Sequence, residues 1–155
     1  MSRPNSPSFS SFGTVLVVDD ESSVRSVTEA ILKTFGAEVH SAESGPDAVV
    51  IAEAFYEGGG KYSAVILDLT MPGGPSGFET LERLHQLDSH LPVIACSGYF
   101  QEDARDLCRA IGFAEILSKP FSPDVLGSVM RRALVSGNDS PVFETESKGV
   151  AESLS

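Results

Sequence analysis

Five short, nearly unbroken apolar runs separated by longer stretches of helical period limit this chain more than any other feature. They are VLVV (15–18), AEVHSA (37–42), AVIL (64–67), PVIAC (92–96) and AEIL (114–117). The segments between and after them, over about 22–35, 45–57, 77–87, 102–111 and 123–135, carry apolar residues at the three- and four-residue spacing of amphipathic helices. Continuous Val, Ile and Leu runs, as opposed to alternating ones, belong to strands buried on both faces, which means a parallel sheet covered by helices. With right-handed crossovers the five units give an α/β fold, a doubly wound five-stranded parallel sheet in a three-layer (βα)5 sandwich. Boundary residues agree with this parse. Ser44, with Pro46 in the first turn and Asp47 three residues on, is an N-cap arrangement, and Gly36 and Gly112 fall where helices should end. The glycines at 58–60 lead into a strand and not a helix, so they read as a connection and not as a phosphate cradle.

The 155 residues divide into a segment 1–13 rich in Ser and Pro, a folded unit over 14–135, and an acidic Ser-rich stretch over 136–155; both ends read as flexible. Lys and Arg number 11 against 22 Asp and Glu, a net charge of -11. That balance opposes binding to nucleic acid or anionic membranes, because neutralising phosphates takes clustered cations. No apolar stretch reaches the length of a signal peptide core or a membrane span, which gives the expectation of a cytoplasmic protein without membrane insertion. Cys96 and Cys108 lack CxxC spacing and read as buried free thiols.

Polar residues follow the apolar runs at telling places: Asp19 and Asp20 after the first, Asp68 after the third, Ser97 after the fourth and Lys119 after the fifth. In a parallel sheet these ends share one edge, and the crevice where strand order reverses is where such folds bind ligands. Three carboxylates gathered there would raise one another's pKa unless a cation sits among them. Carboxylate oxygens without His or thiolate suit a hard divalent ion, and Mg²⁺ is the natural occupant. An ammonium from Lys119 and a hydroxyl from Ser97 would complete the surroundings of a phosphoryl group, with Asp68 as the candidate nucleophile forming an acyl phosphate.

The segments VLVVDDE (15–21), VILDLTMPGGPSGFE (65–79), ACSGY (95–99) and LSKPF (117–121) resemble the receiver domain of two-component response regulators, in order and over the whole folded part. The resemblance implies a flavodoxin-like fold, Asp68 as phosphoacceptor, and Mg²⁺ held by Asp19, Asp20, Asp68 and the backbone carbonyl of Thr70. In that metal site Asp20 binds directly and Asp19 directly or through water; the resemblance also implies that Ser97 bonds the phosphoryl group and Lys119 pairs with it, that Lys119–Pro120 is a cis peptide, and that a histidine kinase or histidine phosphotransfer domain is the donor. The loop MPGGPSG is one residue longer than the commonest family pattern and resembles receivers attached to hybrid sensor kinases. Ile116 stands where many members have a switching Tyr or Phe, with Tyr99 or Phe100 as alternative aromatics. Thr70 and Tyr99, each two positions beyond a site residue, are expected to flank the phosphoryl group and gate hydrolytic water. The helix RDLCRAIG (105–112) and the strand after it are the partner-facing side the family suggests.

Other chemistries fit less well. A phosphohydrolase with an Asp nucleophile commonly carries a second Asp two residues on as general acid, a place held here by Thr70. A phosphorylation-independent docking module would not need the complete set of Asp19, Asp20, Asp68, Ser97 and Lys119. The first strand leads into Asp19-Asp20-Glu21 with neither GxGxxG nor GxxxxGK[ST], which opposes a nucleotide-binding fold. His40, His85 and His90 have no metal-triad spacing and read as structural or solvated. The expectation is a signalling domain and not a turnover enzyme, either working alone or part of something longer, with no output domain visible.

Overall fold

In the computed structural model, which describes residues 12–70 and 77–139 with side chains up to 135, every expected apolar run is a strand and every intervening segment a helix. The strands are β1 (Thr14–Val18), β2 (Glu38–Ala42), β3 (Ala64–Asp68), β4 (Val93–Ser97) and β5 (Glu115–Ser118). The helices are α1 (Ser22–Thr34), α2 (Gly45–Glu57), α3 (Gly77–Leu87), α4 (Ala104–Ile111) and α5 (Pro123–Asp139). All strand pairs are parallel and the sheet order is β2-β1-β3-β4-β5. β1 and β3 therefore lie side by side where the winding direction reverses, with Val15 opposite Ala64 and Val18 opposite Leu67.

Side chains alternate between faces along a strand, so each central strand feeds two cores. Leu16, Val18, Val65, Leu67 and Val93 pack with Ala48 and Ala52 of α2, Leu81 and Leu84 of α3 and Cys108 of α4. Val15, Val17, Ala64, Ile66 and Ile94 pack on the other side with Leu32 of α1 and Leu126, Val129, Met130 and Ala133 of α5. Every residue of β3 and β4 is buried, which is why these runs show no alternation in the sequence. Phe12, assigned above to the N-terminal segment, belongs to the second core and stacks on Phe35 at 5.3 Å between ring centroids. Burial of one such aromatic or aliphatic side chain stabilises by about 1.5–3 kcal/mol.

The helix ends follow local chemistry. Ser44 Oγ accepts the Asp47 amide at 3.2 Å, as the N-cap reading requires. Gly36 and Gly112 have φ of 84° and 130°, left-handed conformations that close α1 and α4 without a Cβ clash. α4 begins at Ala104 and not near 102, and its N-cap Asp103 makes no side-chain capping bond. α5 runs to Asp139, past the expected 135. Both cysteines are buried and free. His40 Nδ1 lies 2.6 Å from the Tyr62 hydroxyl, and His85 Nε2 lies 3.0 Å from the Leu91 carbonyl, structural roles for both. The expectations for the loop MPGGPSG and for the chain ends fall largely on residues 1–11, 71–76 and 140–155, outside the described residues. Among the described residues no helix is long and apolar enough to cross a membrane.

Candidate functional site

The strand ends bring the expected residues to one edge. β1 finishes at Val18 and delivers Asp19, whose amide donates to the Ala42 carbonyl of β2 at 3.1 Å. β3 ends on Asp68, opposite Cys96 of β4, and Ser97 follows as the last residue of that strand. The Lys119 amide donates to the Ser97 carbonyl at 2.9 Å, which ties the end of β5 to the end of β4. The Lys119–Pro120 peptide is cis. Positions far apart in sequence are thus fixed by ladder geometry and not by their own loops.

Carboxylate oxygens of Asp19, Asp20 and Asp68 all lie within 4.8 Å of one another. Asp19 and Asp68 are buried at 4% and 2% exposure, whereas Asp20 opens to solvent. Lys119 Nζ bridges the two buried acids, donating to Asp19 Oδ2 at 2.8 Å and to Asp68 Oδ2 at 3.2 Å. Burial alone would pull the Lys119 pKa down, but the bonds and charges of Asp19 and Asp68 outweigh it and hold the ammonium above its ordinary value. The remaining oxygens have backbone partners: Asp19 Oδ1 accepts the Glu21 amide at 2.9 Å, and Asp68 Oδ1 accepts both the amide and the hydroxyl of Thr70, at 2.9 and 2.7 Å. Arg25 Nη1 donates to the Asp19 carbonyl at 2.6 Å and braces the same turn from α1. Burial pushes the neighbouring Cys96 thiol up to about 12, which keeps it a neutral wall of the site.

One ammonium does not balance three carboxylates. Hard oxygen donors this close, with negative charge in excess and one member open to solvent, fit a divalent cation of the Mg²⁺ class by charge and donor type. Among the described residues they form the one group of three acidic, His or Cys side chains that could hold a metal.

The other expected residues behave differently from one another. Ser97 is buried at 5% exposure, and its Oγ accepts the Tyr99 amide at 3.0 Å, which leaves the hydroxyl proton free to donate. Thr70 sits directly on Asp68. Tyr99, by contrast, is 87% exposed. Ile116 and Phe100 are partly buried against the core on the α2–α4 side. Beside the site, Ser23, Val24, Val27 and Thr28 of α1 face Lys119, Pro120 and Phe121 across an apolar groove of about 440 Å³.

One charged cluster has no counterpart among the residues singled out from the sequence. Glu115, the first residue of β5, has a side chain only 1% exposed and meets Arg105 Nη1 at 3.0 Å, Arg109 Nη2 at 2.6 Å and Arg132 Nε at 3.6 Å. The signal was an acid inside the run AEIL, preceded by arginines four residues apart on one helix.

Comparison with known proteins agrees with this geometry. The profile of the response regulator receiver domain matches residues 15–131. A probable transcriptional regulator, ycf27, of Porphyra purpurea is 35% identical over 123 residues, covering 77% of this chain and 48% of its own length. Probable histidine kinase 6 of Oryza sativa subsp. japonica is 29% identical over 148 residues, covering 83% of this chain and 15% of its own. The chain thus spans about half or less of these relatives. Among solved structures, the receiver domain of the sensor histidine kinase PA1611 of Pseudomonas aeruginosa, described with magnesium coordinated in its active site cleft, superposes with a TM-score of 0.66 at 27% identity. That alignment covers 79% of this chain and 98% of the other. The chain belongs to the response regulator receiver domain family of two-component signalling.

Proposed function

We propose that the folded unit takes a phosphoryl group onto Asp68 from a phosphohistidine of a histidine kinase or a histidine phosphotransfer domain, in the cytoplasm and with Mg²⁺. The observation that carries this reading is the buried carboxylate of Asp68, held between Thr70 and Lys119 and within 4.8 Å of two further carboxylates. In the transfer an oxygen of Asp68 attacks phosphorus, the phosphorus–nitrogen bond of the donor breaks, and the imidazole leaves with the bonding electrons and picks up a proton. Asp19, Asp20, Asp68 and the carbonyl of Thr70 would hold the ion, which supplies neutralisation of charge on the transferred oxygens. Lys119 is the second cation for those oxygens, and the Ser97 hydroxyl donates to one of them. Because Lys119 bridges Asp19 and Asp68 in the resting state, its ammonium is already at the place where the charge will arrive.

Support for this reading over a phosphohydrolase comes from Thr70, which bonds the nucleophile from the place where such enzymes commonly carry an acid. The domain assists its own phosphorylation and dephosphorylation without turning over a substrate, and the added charge biases the packing of the fourth and fifth βα units. The longer loop, and the likeness to hybrid signal transduction histidine kinase L of Dictyostelium discoideum, 30% identical over 132 residues, support a receiver attached to, or served by, a hybrid kinase.

Incubation with acetyl phosphate and Mg²⁺, read by intact mass, tests the proposal. One phosphoryl adduct is expected on the wild type, none on Asp68→Asn and none in EDTA. An adduct of equal yield on Asp68→Asn refutes it.

A further inference from the structure

Helix α4 is held unusually lightly. It has eight residues, its N-cap Asp103 makes no side-chain bond, and only Ala104 and Cys108 are buried, two small side chains. Its larger apolar residues, Leu107 and Ile111, are 55% and 48% exposed. So little buried area gives α4 a weak hydrophobic grip on the sheet. What it does have is Glu115. Both carboxylate oxygens are used, Oε1 by Arg105 and Oε2 by Arg109, while Arg132 approaches Oε2 from α5. These are charge-assisted contacts to an acid shielded from water, the strong kind.

The placement joins this cluster to the phosphoryl site at two points. Glu115 opens β5, the strand after which Lys119 follows, and its neighbour Ile116 pairs with Ala95, two residues before Ser97. From Ser97 the chain passes through residues 98–103 straight into α4. A Ser97 hydroxyl that turns toward a phosphoryl group draws on the segment leading into α4, a helix whose two side-chain ion pairs among the described residues both end on Glu115.

We propose that Glu115 is a positioning residue: clamped by Arg105 and Arg109 of α4 and Arg132 of α5, it fixes the resting place of α4 and so sets how readily the Ser97 loop closes on the phosphoryl group. The coupling rests on the phosphoacceptor reading above, whereas the clamp itself does not. Contacts present only in the resting state oppose the switch by their own strength, and removing them shifts the population toward the closed loop.

Glu115→Gln is the informative change. The amide keeps one hydrogen bond, and the three arginines, each about half exposed, fall back on water, so the fold survives. In the 155-residue chain without phosphodonor, hydrogen exchange of the α4 amides should quicken about tenfold in Glu115→Gln. With acetyl phosphate and Mg²⁺, the initial rate of adduct formation should rise by a similar factor, which corresponds to about 1.4 kcal/mol of stabilisation removed from the resting state alone. Glu115→Asp, which keeps the charge, should lie between the two proteins in both measurements. A lowered melting temperature with unchanged α4 exchange, or an adduct rate that stays equal or falls, overturns the proposal, since a merely structural acid would behave so. If the wild type forms no adduct, the phosphoacceptor reading fails and the coupling with it, and the exchange rates alone then decide the clamp.

Discussion

Two clusters of acid and base sit on this sheet, built from similar parts in opposite proportions. At the strand ends, three carboxylates share Lys119, and one of them, Asp20, opens to water. On the α4–α5 side, one carboxylate, Glu115, is shared by three guanidinium groups and sealed from solvent. The first cluster is short of positive charge, so it gains from a cation that is not part of the chain. The second has more than enough, with its excess charge on half-exposed arginines that water already stabilises. Stoichiometry, more than burial, separates a site built to take up a ligand from a contact built to hold a helix. Disrupting either cluster from its minority side shows the difference, because the majority groups are then left without a partner.

Lys119→Gln should have the largest effect on stability. In magnesium-free buffer it leaves Asp19 and Asp68 buried together without their shared cation, and urea unfolding should show a loss of roughly 3 kcal/mol. Glu115→Gln should cost less than half of that, because the stranded arginines reach solvent. Equal losses would mean that the two clusters do not differ in the way described.

Response to magnesium should come next. At a hundredfold excess over its dissociation constant the ion should stabilise the wild type by about 2.7 kcal/mol, the gain expected of any ligand that binds only the folded state. Asp20→Asn should lose most of that increment while unfolding normally without the ion, and Glu115→Gln should keep all of it. Thermal melts with and without Mg²⁺ read both. A Glu115→Gln protein that no longer responds to Mg²⁺ would make the two clusters a single one, and the contrast between them would disappear.

The smallest effect is expected at Arg83 and Glu53, 3.9 Å apart with side chains 58% and 47% exposed. Arg83→Ala should change stability by no more than about 0.5 kcal/mol, which sets the floor against which the two clusters are judged.

How much of this was legible in the sequence depends on how local each signal is. β3 and β4 could be read because burial on both faces leaves runs of Val, Ile and Ala that water-facing segments do not carry. Asp19, Asp68, Ser97 and Lys119 could be read because a parallel sheet sends all strand ends to one edge, so position in sequence implies position in space. The start of α4 could not, since Asp103 makes no capping bond and so leaves no local signal that marks the boundary. Nor could the solvent-facing ring of Tyr99, which only the path of its loop decides. Glu115 was the larger omission. An acid in a strand run reads as an edge residue facing water until three arginines from two helices are seen to close over it, and no short-range pattern brings Arg132 to that strand.

The phosphoacceptor reading of the strand-end cluster depends on one chemical event, the conversion of Asp68 to an acyl phosphate. Borohydride reduces an acyl phosphate to an alcohol, so a phosphorylated aspartate is left as homoserine and can be located by peptide mass mapping. After treatment with acetyl phosphate and Mg²⁺, homoserine should stand in place of Asp68 and at no other aspartate. Homoserine in place of Asp19 or Asp20, or an adduct that borohydride leaves untouched, would contradict the assignment.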